Sequence, residues 1–413
     1  MDMIDTTKDV GKGLLSIYKR FDHIQISGYI QPQYQVADSA GIKSFSGGDF
    51  APYSNNRFMI RRGRILFSYA HFDKESRPTV QFVLQIDGTE RGVFIRDLWG
   101  RVYENKFQKF ALAMGIFARP FGYEINLPSA DRETPERGRM SQTLMKTERD
   151  LGAMGSFEDR KKGSSIKNLH FDIGMFNGPG LSGTTDYDSY KDLITQLFWK
   201  SSQIAHNIYL SGGISYYNGG IRQNSKYSYA MGTNGGVKTF VVDSSDKNVG
   251  RKSPRVYSGA NVQIKFLHRW GATEIRGEYW QGQQTATEFT SETPGTIPVV
   301  GLSFAPYYLR KFNGAFVYFL QNIVNKKHQL VFKFDFYDPN TQVKGKEIGA
   351  PGSNTNFADI RYNTFGFGYI YYMHTNLKLM LWYDIVKNEA TNTVLYQKDV
   401  KDNVLTCRLQ FRF

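Results

Sequence analysis

From residue 24 to residue 413 apolar and polar side chains alternate with a period of two, in blocks separated by polar stretches. Such blocks predict strands with one apolar face. They fall at 24–35, 57–71, 78–90, 94–103, 108–117, 150–158, 168–177, 190–200, 206–217, 254–267, 271–282, 308–322, 327–338, 359–373, 376–388 and 400–413, sixteen in all. Most run to about ten residues or more, longer than the five or six usual in globular proteins. That length suits a tilted strand crossing a bilayer, which needs about nine to eleven residues. Ahead of them, Leu14, Ile17, Tyr18 and Phe21 keep helical spacing and predict one short amphipathic helix over 8–21.

The connections alternate. Long ones (36–53, 118–149, 218–253, 283–307 and 339–358) follow odd-numbered strands, and nearly all short ones follow even-numbered strands. The short connection 91–93 breaks the rule. Loops on one rim and turns on the other are the pattern of an up-and-down membrane barrel. A propeller would repeat every forty to fifty residues or so, and no such repeat is present. A soluble sandwich also alternates, with its apolar phase inward, but its strands are short.

Charge tells the faces apart. In 405–413 Thr406, Arg408, Gln410 and Arg412 share one phase, and Leu405, Cys407, Leu409, Phe411 and Phe413 the other. Val331, Lys333, Asp335 and Tyr337 oppose Leu330, Phe332, Phe334 and Phe336; Glu274, Arg276 and Glu278 share a face, as do Tyr257, Asn261, Gln263 and Lys265. A lysine or arginine facing lipid at the midplane costs about 2–4 kcal/mol. The polar phase is therefore expected to line a wet interior, and the basic residues on it are Lys265, Arg276, Lys333, Lys378, Arg408 and Arg412.

Composition adds less. There are 52 Lys+Arg against 38 Asp+Glu, a formal +14, which attracts anions of any kind. No localised basic patch marks a nucleic-acid binder. The single cysteine, Cys407, excludes a disulfide framework or a Cys-rich zinc site and reads as a packing residue. No apolar run reaches about eighteen residues, and Met1-Asp2-Met3 opens no signal peptide. The expectation is an intracellular protein or a mature chain whose signal has been removed; the barrel reading selects the second. No HExxH, Walker or G-x-S-x-G motif points to chemistry, so no enzyme, cofactor or metal site is expected. Asp186, Asp188 and Asp192 lack the glycine and terminal glutamate of a calcium loop and read as solvated loop. Trp270, Trp280 and Trp382 read as interfacial girdle residues.

Four stretches carry a resemblance: FMIRRGRILF (58–67); GIFARPFGYE (115–124) leading through PERGRM (135–140) to TERDLGAMGSF (147–157); FDIGMFNGPG (171–180); and LTCRLQFRF at the C-terminus. In order and spacing, from about residue 24 onward, the set resembles the phosphate-selective porin O and P family. The resemblance implies a trimeric sixteen-stranded outer-membrane barrel of a Gram-negative bacterium, preceded by a periplasmic segment (1–23). It implies a third outer loop folded into the lumen as a constriction, and a final residue, Phe413, read by the barrel-assembly machinery. It further implies that Arg61 and Arg62 contact anions, with Asp97 close by. Neighbours on a regular strand face opposite ways, so both arginines can point inward only across a bulge; by parity Arg62 goes with Arg64. The downstream basic ladder of the phosphate-specific members is missing.

The constriction is thus expected in 118–149, with Arg61, Arg62, Arg64, Asp97, Arg101, Arg119, Arg132, Arg137, Arg139 and Arg149 as candidate pore residues. Residues 119–152 hold six basic and six acidic side chains, so a selecting field needs the arginine-bearing wall opposite. Local pairs, Glu136–Arg137 and Arg149–Asp150, are expected to clamp the loop. The function expected is passive diffusion of small hydrophilic solutes with anion preference, phosphate being one candidate. The alternatives are a sugar-type porin using Tyr257, Tyr372 and Trp382, and a plugged barrel that binds a partner.

Overall fold

The computed structural model describes residues 23–161, 163–182 and 186–413. The helix predicted over 8–21 lies outside them. Twenty strands, β1 to β20 in chain order, are present among the described residues; four of these form two loop hairpins, and the other sixteen form a closed antiparallel barrel. β1 (Ile24–Ala37) pairs with β2 (Asn56–Phe72) on one side and with β20 (Val404–Arg412) on the other, so no edge is left open. The C-terminal residue joins the seam, where the Phe413 and Gly28 backbones exchange N–H···O bonds of 3.0 and 3.1 Å.

Each predicted strand is found, with ends shifted by a few residues. All connections that follow the first, third and later odd barrel strands gather at one rim. They include 38–55, 119–148, 223–251, 287–306, 339–361 and 389–403, and the short exception is the two-residue turn between β3 (Pro78–Thr89) and β4 (Gly92–Tyr103). One loop, 223–251, has a structure the pattern did not predict. Its hairpin, β10 (Ser228–Asn234) with β11 (Val237–Asp243), lies parallel to the start of β16 (Tyr307–Ile323). Asn234-Gly235-Gly236 was the signal for it, since glycine supplies the positive φ a tight hairpin needs.

The expected faces hold. Ile26, Phe94, Met114, Ile214, Phe332 and Leu381 are exposed outward, while Arg62, Lys333, Thr406 and Arg408 are buried inward. The expectation of a uniformly wet interior is corrected. Tyr217, Tyr257, Trp280 and Phe312 also point inward and pack with Phe121, Met140 and Leu144 of the third loop in an apolar cluster. Trp280 and Trp382 are therefore not girdle residues, being 0% and 2% exposed inside the barrel, whereas Trp270 stands exposed at a turn.

Two bulges shape one sector of the wall. Gln31 pairs with Arg62 but Pro32 pairs with Ile60, which leaves Arg61 as an extra residue on β2. Proline has no N–H for the ladder, and a closed barrel offers no edge strand, so Pro32 belongs at such a break. On β4, Gln85 pairs with Asp97 but Ile86 with Ile95, leaving Arg96 extra. Each bulge turns two consecutive polar side chains inward.

Candidate functional site: a gap between the third loop and the arginine wall

Residues 119–148 leave β5 (Phe110–Ala118) and turn into the barrel before β6 (Arg149–Glu158). The turn sits on Gly122, at φ +68, where a Cβ would overlap the Glu278 carboxylate. Backbone N–H groups of Tyr123 and Glu124 donate to that carboxylate at 2.8 and 2.9 Å. The loop then crosses to the far wall. Lys378 Nζ donates to the carbonyls of Ala130 and Arg132 at 3.0 and 3.2 Å, and Arg408 donates to that of Pro135 at 2.7 Å. Arg276 grips Glu133 with two bonds of 2.7 and 2.9 Å, and Arg412 meets Asp131 at 2.9 Å. Inside the loop, buried Glu124 accepts from Ser141 (2.5 Å), Gly138 N–H (3.0 Å) and Tyr318 of the wall (2.6 Å), with Lys333 at 3.5 Å. These contacts seat the short helix α1 (Arg139–Leu144) on the apolar wall. Gly122→Ala is expected to weaken this seat by about 1–3 kcal/mol, the usual cost of a side chain held in the left-handed region. Faster trypsin cleavage between residues 132 and 139 is the readout, and unchanged cleavage would contradict it.

Opposite the seated side, the loop faces the bulged wall. Glu136 accepts from Arg61 (2.8 and 3.0 Å), from Arg62 (2.7 and 3.2 Å) and from Arg408 (3.0 Å). Glu148 is shared by Arg96, Arg137 (2.6 Å) and Arg149 (3.5 Å), while Arg64 holds Asp87 at 2.8 Å and Ser129 at 2.7 Å. Burial alone would raise the Glu136 and Glu148 carboxyls. The arginines around each outweigh it and hold both well below the usual range. Between loop and wall lies a cavity of about 140 Å³ lined by six basic side chains (Arg61, Arg62, Arg64, Arg96, Arg137, Lys146) and three acidic ones (Asp87, Glu136, Glu148). Arg64, Arg96 and Arg137 also line a larger cavity of about 910 Å³ reaching toward the short-turn rim, so these arginines border both spaces. The narrow space is smaller than the roughly 8 Å screening length at physiological salt, so an ion within it feels the excess positive charge.

No family model matches the chain, and no curated protein matches it. Solved structures do. OprB of Pseudomonas putida aligns at 8% identity and a TM-score of 0.56, covering 98% of each chain. The anion-selective porin from Comamonas acidovorans aligns at 11% and 0.55, covering 94% of this chain and 99% of that one. The outer-membrane channel DcaP of Acinetobacter baumannii aligns at 10% and 0.55, covering 94% and 97%. The fold is that of outer-membrane porins. At such identities the likeness is one of fold alone.

Against that fold the predicted residues divide into three groups. Arg61, Arg62, Arg64 and Arg137 line the gap, as does Arg96, which sequence reading missed because regular parity turns it outward. Asp97, paired with Arg149 at 3.1 Å, and Arg101, 5.2 Å over the Trp99 ring, line the wider cavity beyond. Arg276, Lys333, Lys378, Arg408 and Arg412 face inward as expected, but they hold the loop. Lys265 is exposed.

Several expectations need correction. Arg119 does not reach the gap: it is 2% exposed and donates to the carbonyls of Thr147 and Gly178. Arg132 is 1% exposed within the loop, and Arg139 lies between the rings of Phe45 and Tyr362. The clamps are not Glu136–Arg137 and Arg149–Asp150, because these side chains find partners on other segments. Glu136 pairs across to the wall, Arg149 pairs with Asp97, and Asp150 accepts from Gly178 N–H at 2.7 Å. Tyr257 and Trp382, proposed for sugar contact, are covered. Two buried arginines went unnoticed: Arg255 beside Asp192 (3.3 Å), and Arg310, which pairs with Asp359 (2.9 Å) and donates to carbonyls of residues 287, 288 and 290. Only their inward parity marked them. Asp192, packed with Arg255 and Tyr217, is not part of a solvated loop.

Proposed function

We propose that this chain is an outer-membrane porin of a Gram-negative bacterium, passing small hydrophilic solutes by diffusion with a preference for anions. The observation that carries the anion reading is the lining of the narrow gap, six basic side chains to three acidic. Rings of arginine and lysine favour anions in a pore. Selection then comes from width and field, with no chemical step. The inward basic residues beyond the gap hold the loop in place, which supports a general anion preference over selectivity for phosphate. Assembly as a homotrimer, after recognition of Phe413 by the barrel-assembly machinery, belongs to the same proposal; an unheated gel should show a detergent-resistant trimer.

Liposome swelling tests passive diffusion itself. Vesicles carrying the protein are expected to swell in isotonic arabinose, and faster in an isotonic salt of a small organic anion. No swelling in either would leave a plugged barrel.

A further inference from the structure

On the long-loop side of α1 the barrel opens into a cavity of about 560 Å³, walled by the first, third, sixth, seventh and eighth loops of that rim. Six aromatic side chains, Phe45, Phe289, Tyr337, Phe357, Tyr362 and Tyr396, are among the residues that line it. Phe289, Phe357 and Tyr396, one from each of three loops, stand in a row, with centroids 5.9 and 6.5 Å apart and planes within 17° and 24° of parallel. Beside them the Arg139 guanidinium lies 4.3 Å from the Phe45 centroid and 3.6 Å from that of Tyr362, which fixes the plane of its fork. Among the described residues Arg139 closes no ion pair, and its Nε is buried without a partner. Lys43, 5.5 Å over the Phe357 ring, and Lys401 line the same cavity. Of its two carboxylates, Glu292 is taken by Lys146 at 2.6 Å, and Asp402, 8% exposed, lies within electrostatic reach of Arg139 but makes no hydrogen bond or ion pair with it. A fork held flat between two rings, with its donors uncommitted, matches a carboxylate, and a row of rings from separate loops matches a flat apolar body.

We propose that this vestibule is a binding subsite for aromatic carboxylates, with the ring against the Phe289–Phe357–Tyr396 row and the carboxylate on Arg139. As a loading step it rests on the porin reading, since Lys146, the partner of rim residue Glu292, lines the arginine gap itself.

Calorimetry on the detergent-solubilised full chain with benzoate tests this, beside acetate (charge without ring), benzyl alcohol (ring without charge) and cyclohexanecarboxylate (charge with a puckered ring). Saturable benzoate binding is expected, about tenfold or more tighter than any of the three, the scale of one charge-assisted hydrogen bond or one stacked ring. Arg139→Gln and Phe357→Ala should each weaken it by a similar factor, the second serving if the first fails to fold. Benzoate binding no tighter than acetate or benzyl alcohol, or untouched by both variants, overturns the subsite. Bilayer conductance of the unmodified protein separates the two readings. Conductance without benzoate preference defeats the subsite alone, and benzoate binding without conductance keeps the subsite while defeating the porin.

Discussion

Glu136→Ala is expected to release the third loop from the arginine wall. In the folded protein this carboxylate answers three inward guanidiniums, Arg61, Arg62 and Arg408, of which Arg62 and Arg408 are 4% and 2% exposed. Removing one partner of a buried ionic cluster costs about 3–5 kcal/mol, because the charges left behind stay desolvated and unpaired. The barrel ladder is untouched by this change, so the loss should appear in the loop. Single-channel conductance should rise and become noisier, and the excess positive charge should sharpen anion preference. A conductance trace indistinguishable from wild type would show that Glu136 does not seat the loop. The same pair logic has a pH consequence. Because the folded Glu136 and Glu148 carboxyls lie well below their ordinary value, the stability they contribute is complete above the ordinary glutamate pKa of about 4.3 and is lost only as pH falls through the depressed folded values. The Glu136 and Glu148 clamps should therefore stay ionised on acidification from neutrality to roughly pH 4, and a conductance step in that range that the wild type shows and Glu136→Ala has lost would contradict it.

Arg64→Ala combined with Arg96→Ala is expected to remove most of the anion preference. These two side chains line both the narrow gap and the wider cavity beyond it. Their loss leaves four basic side chains against three acidic in the gap, so the excess of three positive charges falls to one. Arg137 and Arg149 still hold Glu148, and Arg61, Arg62 and Arg408 still hold Glu136, so the loop stays seated. The zero-current potential under a salt gradient should shrink toward zero while the protein keeps its gel mobility. Lys265→Ala, at an exposed position that lines neither cavity, is the control and should change neither. Undiminished anion preference in the double variant would remove Arg64 and Arg96 from the permeation path.

The barrel was legible in the sequence because the constraint that makes it is periodic. Charges such as Lys333 and Arg408 tolerate only one face, so parity fixed inside and outside strand by strand. The interior was less legible, because inward parity does not say whether a side chain meets water or a folded-in loop. Trp280 and Tyr257 share a phase with Glu278 and Gln263, yet Phe121 packs over both rings. Parity also failed where the strand itself departs from regularity. The first bulge, left as a condition in the sequence, lets Arg61 and Arg62 converge on Glu136, and Pro32 sits at it; nothing comparable marks the second, and Arg96 was missed. Ion-pair partners in the loop were misread because adjacency along the chain is a poor guide to contact, and the wall partners of Glu136 lie some seventy residues away.

A conducting pore whose narrow gap favours anions declares itself in the zero-current potential of the purified protein in a planar bilayer under a KCl gradient. Steady conductance is expected, with a potential of the sign set by chloride moving more readily than potassium. A potential of the opposite sign would contradict the reading of the arginine gap, and the absence of conductance would contradict the pore.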